Sequence, residues 1–412
     1  MKNIFYLLVF LILLTSCHSD KLEIEISNKI PLDRIDEPVV VSSSDQIDFF
    51  AKHKNNQVAI VKDANNIEIP SQTDDTNGDG KIDEIVFVLN IQSSETKKIS
   101  ITWTSPEELA KYPIRTNLRF AKTNPNGKIQ ELDNEVCPDN HSKESPTENY
   151  QFEGPGWEND KVGFRTYFDP RNGFDIFGKK TSDMVLDKVS AETGNYHEMQ
   201  DWGMDILKVG KSLGASGIAM PNADTLVRLG KVEKLSYKKI TEGPVRSIFE
   251  INYSGWQVGD KKLNVKRRIT IWAGTYYFQN RIEISNIDWN FEIVTGIVNL
   301  HNTEMMAIES NISKIIATFA AQTEYKKNDK LGMAIVIDMA NYQKFKRAPE
   351  ANHDILNTWL VHLQRSGLYY IDFNFYACWE LSDKRFAEKT NFTTFLKKEL
   401  QKRDNPLQIK NL

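Results

Sequence analysis

The chain has 412 residues, with 52 Lys and Arg against 56 Asp and Glu, for a formal net charge of −4. So even a balance lacks the basic footprint that nucleic-acid binding requires and gives no special attraction to anionic lipid. The length suffices for one large domain and a small one with an ample core, and three cysteines in a chain of this length do not make a disulfide framework.

In chain order, the first element is a targeting segment. Lys2 supplies a positive start, Ile4 to Leu14 form an apolar run, and Leu14-Thr15-Ser16-Cys17 closes it. The run is too short to span a bilayer comfortably, and small residues before a cysteine mark a cleavage site. Residues 1–16 therefore read as a bacterial lipoprotein signal peptide, with Cys17 lipidated and membrane contact through that anchor alone. Cys137 and Cys378 remain, expected as buried thiols or a single bridge.

Residues 22–104 read as a small β module, with strand signals at "VAIV" from Val58, "IVFV" from Ile85 and "ISITW" from Ile99. Within it, Asp75-Thr-Asn77-Gly-Asp79-Gly80-Lys81-Ile-Asp83 sets side-chain oxygens at positions 1, 3, 5 and 9 of a tight loop. That spacing, with the Lys81 carbonyl as an extra ligand, suits a structural calcium ion. An EF-hand would carry Glu at position 12, where this chain has Val86. An Asx-rich turn without metal is the alternative.

A short helix is expected near Pro106–Lys111. Residues 122–150 lack periodicity and are rich in Asn, Pro, Ser and charge, and residues 105–150 are read as a linker or long loop. Residues 151–412 read as a large β-sandwich domain. "VKRRITI" from Val265, "RIEIS" from Arg281 and "LYYIDFNFY" from Leu368 alternate with period two, separated by turn signals such as Ser254-Gly255 and Ala273-Gly274. In the last of these, Tyr369, Ile371, Phe373 and Phe375 share one face; Tyr370, Asp372, Asn374 and Tyr376 share the other. A helix near Thr393–Lys402 closes the domain. The fold class is all-β and antiparallel, with two sheets burying each other's apolar faces.

Two segments concentrate candidate chemistry. In Gly154-Pro-Gly-Trp157-Glu158 through Arg171-Asn172, a strand from Val162 places Arg165, Tyr167 and Asp169 on one face, with Arg171 at its end. Tyr and Arg in a row favour recognition, and Trp157 beside glycines offers a flat plate for the apolar face of a sugar. A solvated strand face with one ion pair is the bland alternative. The second segment is "NYHEMQDWGMD" from Asn195. His197 is the best general acid or base in the chain, since its ordinary pKa lies near neutrality. Glu198, Asp201 and Asp205 are carboxylates that could orient it, and Tyr196 and Trp202 flank it. In a helical conformation His197 and Asp201 would share a face. His301 is a weaker second imidazole, and His18, His53, His141, His353 and His362 have poorer surroundings. There is no His-Glu-x-x-His, no Gly-x-Ser-x-Gly elbow and no phosphate loop.

With these residues in view, the chain resembles a family of Bacteroidota lipoproteins catalogued as a domain of unknown function. The resemblance is carried by "DEPVVV" from Asp36, "IPSQTDDTNGDGKIDEIVF" from Ile69, "EGPGWENDKVGFRTYFDPRNGFDIFGKK" from Glu153, "YHEMQDWGMDILKVGKSLGA" from Tyr196, "EGPVRSIFEINYSGW" from Glu242 and "TGIV" from Thr295. It covers nearly all of the mature chain. It implies a galactose-mutarotase-like β-supersandwich and a setting in polysaccharide utilisation loci, beside enzymes for uronate-containing glycans. The weak acidic tract after Cys17 (His-Ser-Asp-Lys-Leu-Glu) points to the periplasmic face rather than the cell surface.

The expected partner is thus a uronate-containing oligosaccharide or polysaccharide. For β-elimination, Arg165 or Arg171 would neutralise the sugar carboxylate, His197 would act as base, and Tyr167 or Tyr196 as acid. A mutarotase or isomerase would use the same acid and base at the anomeric centre. Hydrolysis would need two carboxylates, for instance Glu198 with Asp169. In a non-catalytic glycan-binding lipoprotein, Trp157, Trp202, Trp256 and Trp272 would be stacking platforms and the acids would only hydrogen-bond hydroxyls.

Overall fold

The computed structural model describes residues 21–124, 128–138, 150–288, 290–325, 328–351 and 353–412. The expected signal peptide (residues 1–16), Cys17, His18 and His141 lie outside the described residues. The chain is all-β and built from stacked antiparallel sheets.

The largest is a nine-stranded sheet. Its central strands, Arg246–Val258, Lys261–Trp272, Tyr277–Ser285 and Tyr370–Trp379, pair in that order and alternate as the sequence pattern requires. One face is apolar: Phe249, Ile269, Ile271, Phe278 and Phe375 are fully buried. Two five-stranded sheets cover it. The first runs Gly203–Asp205, Phe174–Lys179, Val162–Thr166, Gly156–Asn159, Thr116–Arg119; the second contains Glu292–Val298 and Thr358–Gln364. Trp157, Phe164 and Phe174 from the first, and Ile293, Ile297, Val361 and Leu363 from the second, join the large sheet's apolar side chains in one core.

The two covering sheets are stitched together at Gly214 and Ala215, which bridge to Phe174 and Ile297 respectively. Gly214 has φ +60°, and a Cβ there would lie 2.2 Å from the Phe174 carbonyl oxygen, so only glycine permits the approach.

The N-terminal module is a smaller sandwich. A five-stranded sheet (Lys21–Ser27, Thr96–Thr104, Val58–Asp63 and Glu68–Ile69, with Gln408–Asn411 at its edge) faces a three-stranded one made of Arg34–Ser42, Glu84–Ile91 and Ser71–Asp74. Ile24, Ile26, Val61, Ile85, Phe87 and Ile101 form its core. The module docks on the large domain through Val86 and Val88 against Val245, Trp272 and Ala273. Arg246 is ion-paired across the junction with Asp74 and, at 2.6 Å, with Glu84. Arg115 bonds both oxygens of Asp36, at 2.9 and 2.7 Å, and Asp160 at 2.8 Å.

Four sequence expectations need correction. Residues 105–150 are not simply a linker. Thr116–Arg119 is the edge strand beside Gly156–Asn159, and Asn134–Val136 pairs with Lys234–Glu242 at the edge of the large sheet. Such short strands carry no periodicity of their own and are held by their neighbours. The large domain also does not keep the chain's end, because Gln408–Asn411 crosses to the module and pairs with Lys21–Ser27. The C-terminal helix is longer than expected, Lys389–Asp404. It buries Phe392, Leu396 and Leu400 against the outer face of the large sheet, a spacing of four that keeps them on one stripe. The expected helix at 106–111 is a single 3₁₀ turn, Pro106–Glu108. Cys378 is buried and Cys137 is partly buried, with its Sγ 3.3 Å from the Phe168 carbonyl oxygen, and the two are not bridged to each other.

Candidate functional site

The polar residues singled out above converge on the edge of the first covering sheet, but in two tiers. The lower tier is built around Arg165, whose side chain has no exposed surface. Its guanidinium contacts Glu153 at 2.9 Å, Asp175 at 2.7 Å and Asp205 at 3.3 Å. It donates to the Tyr196 hydroxyl at 2.9 Å and the Tyr167 hydroxyl at 3.3 Å. Adjacent strands supply these groups: Arg165 lies opposite Asp175, and Phe177 opposite Asp205. Burial opposes the Arg165 charge, yet Tyr167, Asp175 and Asp205 together hold its pKa well above the ordinary value. A permanent cation with three carboxylates is the arrangement a buried charge requires.

The upper tier is His197. Its side chain is 60% exposed, and Nδ1 lies 3.5 Å from Asp205 Oδ2, the same oxygen that contacts Arg165. The ring rests on Tyr196, with centroids 4.4 Å apart. A turn holds it there: the His197 amide donates to Asn195 Oδ1 at 3.1 Å, and the Asp205 amide to the Tyr196 carbonyl at 2.8 Å. Gly203 makes the return possible. Its φ is +136°, and a Cβ would sit 1.8 Å from the Gly178 carbonyl oxygen. Partial burial and the nearby Arg165 lower the His197 pKa, against the pull of Asp175, Glu153 and Glu324, so the ring is neutral at neutral pH.

Burial and the adjacent Asp175 push the Asp205 carboxyl well above its usual range, with Arg165 pulling the other way. Asp205, between Asp175 and the imidazole, therefore takes up a proton more readily than an exposed aspartate does. Burial and Asp175 likewise raise the Tyr167 hydroxyl, which donates to Asp175 at 3.2 Å. The result is a polar chain from His197 through Asp205 and Arg165 to Tyr167, open to solvent at the imidazole end.

Several expected roles are corrected by this geometry. Arg165 cannot neutralise a substrate carboxylate, because it is sealed beneath the site and its charge is already matched. The carboxylate that faces His197 is Asp205. Glu198 is exposed and accepts a hydrogen bond from Asn195 at 3.1 Å, and Asp201 is exposed in the turn beyond it. Asp169 is 1% exposed and bound by Arg171 through its main-chain amide and guanidinium, so it is not free to partner Glu198 in hydrolysis. Arg171 also contacts Glu153 at 2.7 Å and stacks over Tyr167 at 4.1 Å, but its side chain stays 32% exposed.

None of the tryptophans offered as sugar platforms has an open face. Trp157 is fully buried among Phe164, Phe174, Phe249 and Phe278. Trp202 packs on Phe177, and Trp256 and Trp272 are 1% and 3% exposed. Glu158 is structural as well. It accepts from Lys179 at 2.5 Å, from Asn117 at 3.0 Å, and from the amides of Val185 and Leu186, each at 2.7 Å. His301 is exposed in the turn after Glu292–Val298, on the second covering sheet.

Sequence reasoning missed Glu153, Asp175 and Glu324. Asp175 is the strand neighbour of Arg165, Glu153 comes from the loop before the sheet, and Glu324 arrives only through its backbone bond to Ile206. No sequence spacing links them.

In the acidic loop of the module, Asp75 accepts from the amides of Gly78 and Gly80, at 2.6 and 2.8 Å. Asn77 and Asp79 cap the amides two residues on, both at 2.9 Å, and Asp83 accepts from the amides of Thr76 and Asn77. The loop closes on its own N–H groups, as an Asx-rich turn does. Among the described residues no three His, Cys, Asp or Glu side chains converge to hold a metal ion. In this conformation the side-chain oxygens of Asp75, Asn77, Asp79 and Asp83 are engaged by loop amides, and calcium at these residues and the Lys81 carbonyl stays an expectation of the sequence.

Among curated proteins, the chain is 25% identical over 434 residues to "Uncharacterized protein P7" of Formosa agariphila, covering 98% of both. Among solved structures it is similar to an alpha-mannosidase from Enterococcus faecalis (TM-score 0.48, 9% identity, 96% of this chain and 46% of that one). A glycosyl hydrolase family 38 protein from Enterococcus faecalis gives a TM-score of 0.42 at 7% identity, with 96% of this chain and 48% of the other covered. The chain spans less than half the length of those structures. The family model described as "Domain of unknown function (DUF4861)" matches residues 26–409, nearly the whole described chain, and the protein belongs to that family.

Proposed function

We propose that the protein acts on uronate-containing oligosaccharides by acid–base chemistry at His197, in the manner of a mutarotase or isomerase. The observation that carries this reading is the exposed imidazole of His197 lying 3.5 Å from the buried Asp205, which is itself tied through Arg165 to the Tyr167 hydroxyl. A neutral imidazole accepts a proton at pH 7 without first losing one, and here Nδ1 lies 3.5 Å from Asp205. At an anomeric carbon, His197 takes the proton of the O1 hydroxyl. A proton returns to the ring oxygen from solvent as the C1–O5 bond opens, while Tyr167, which donates to Asp175, holds the cluster beneath the imidazole in place. The substrate class rests on the family resemblance and its polysaccharide setting.

β-Elimination is the second reading, favoured by the 32% exposure of Arg171, a cation of the cluster that a sugar carboxylate can reach from solvent. The same resemblance supports a lipid anchor at Cys17 and a periplasmic address.

The test follows uronate oligosaccharides by anomeric NMR and by absorbance of unsaturated uronate. Accelerated anomeric exchange that His197→Ala abolishes supports the first reading, and a rise in absorbance supports the second. If neither signal changes while the protein still binds the glycan, the enzymatic reading is wrong. Labelling with palmitate, lost in Cys17→Ser, tests the anchor.

A further inference from the structure

The polar face of the large sheet, opposite the face covered by the layer that carries His197, forms the floor of a long cleft. The N-terminal module (through Pro38 and Val40) and the C-terminal helix (through Phe395 and Arg403) wall it. One part encloses about 1030 Å³ and the adjoining part about 430 Å³, and the two share Gln279, Asn374 and both walls. A cavity of roughly 300–1,000 Å³ already accommodates a drug-sized molecule, so this cleft has room for a chain of several sugar rings. None of the residues of the His197 site lines it.

The floor is the second face of "LYYIDFNFY": Tyr370, Asp372, Asn374 and Tyr376 in a row. On the next strand Arg281 bonds both Asp372 oxygens at 3.0 Å and stacks over Tyr370 at 3.9 Å, while both charged side chains stay more than a third exposed. The arginines of this face are neutralised in place: Arg268 by Glu250 at 2.7 Å, Arg403 by Asp338 at 2.6 Å, and Arg246 by Asp74 and Glu84.

Two consequences follow from that chemistry. A polyanion meets no net positive potential on this floor. A sugar hydroxyl, which both donates and accepts, finds a donor and an acceptor side by side in each ion pair. The rim adds apolar surface, with Ile35 72%, Leu368 51% and Val40 37% exposed, suited to the hydrogen-bearing faces of pyranose rings. From the strand of Arg268 to that of Asp338 there are three strand spacings, roughly 14 Å, which matches an oligomer rather than a monosaccharide.

We propose that this cleft is a second carbohydrate site, which holds an uncharged stretch of a glycan chain across the sheet while His197 works elsewhere on the molecule. It goes beyond the catalytic reading and does not depend on it. The test is affinity electrophoresis of the full chain in gels containing galactan, galactomannan, xylan or glucan, with polygalacturonate in parallel. The expected result is retardation by at least one neutral polymer. The polymer concentration needed should rise at least tenfold in Tyr370→Ala/Arg281→Ala and in Val40→Trp, which fills the cleft from its opposite wall without touching the floor. Both variants should keep the wild-type Tm and wild-type turnover of short uronate oligosaccharides, and His197→Ala should be retarded like wild type. The proposal is overturned if no neutral polymer retards the protein, if only polygalacturonate does, or if both cleft variants migrate as wild type does. Loss of turnover in His197→Ala with no retardation in any gel would sink this site and leave the catalytic reading standing.

Discussion

Arg165 and Arg281 are both arginines paired with aspartate across neighbouring strands of a sheet, yet they do different work. Arg165 has no exposed surface and binds three carboxylates and two phenols, whereas Arg281 has one carboxylate, one phenol ring beneath it and more than a third of its side chain in solvent. Where water is excluded, an unmatched charge is so costly that every partner is committed to the fold. Where water reaches the pair, either member can exchange its partner for a ligand at little expense. The buried arginine therefore organises the site above it, and the exposed one can take part in recognition directly.

The largest test of this contrast is Arg165→Met. Removing the cation leaves Glu153, Asp175 and Asp205 crowded together, a loss of about 3–5 kcal/mol for a broken buried network. Differential scanning calorimetry should show Tm falling by roughly 5–15 °C. His197→Ala comes next and leaves stability almost untouched, because the ring is mostly exposed; turnover should fall about 100-fold or more. For the wild type, the acid limb of kcat/KM should lie below 6.5, the ordinary imidazole value, because the site lowers the pKa of this ring.

Asp205→Asn is a gentler probe. The raised Asp205 pKa means that the folded protein holds a proton that the unfolded chain releases above about 3.8. Its contribution to stability is full below that value and is lost as pH rises through the folded-state pKa. Asparagine keeps the neutral form, so urea denaturation at about pH 5 and pH 9 should show a smaller alkaline loss in the variant than in wild type. Arg281→Ala should change stability by less than about 1 kcal/mol, and a Tm shift beyond about 3 °C would show that the exposed pair is as structural as the buried one. The smallest effect is expected from chelation. With the Asp75–Asp83 turn closed by its own amides, EDTA should move Tm by less than about 1 °C, and a larger drop would restore calcium to the loop.

Much of this was legible in the sequence. Period-two patterns located the central strands, and in "LYYIDFNFY" they put Ile371, Phe373 and Phe375 on the core face, although Tyr369 is exposed before the strand and Tyr376 is buried on the other face. The association of His197 with the Arg165 strand was also legible, though not the depth at which each lies. Trp157 shows why. Its flanking glycine suggested an open plate, but a Cβ at Gly156 would come within 2.9 Å of Phe152, so the glycine is there to let a buried strand pack. Similarly, Arg165 sits among apolar neighbours because Glu153, Asp175 and Asp205 reach it from three other segments. Such convergence is a property of the folded chain, and no local spacing encodes it.

The pairing of Ile24 with Asn411 bears on how the molecule is made. The strand Lys21–Ser27 is made long before its outer neighbour, Gln408–Asn411. Until that neighbour docks, it presents a row of unsatisfied amides and carbonyls to its surroundings. A chain cut after the long helix, at Asp404, should therefore keep most of its secondary structure and self-associate along this border, so that four residues far along the chain govern the solubility of a strand near its start.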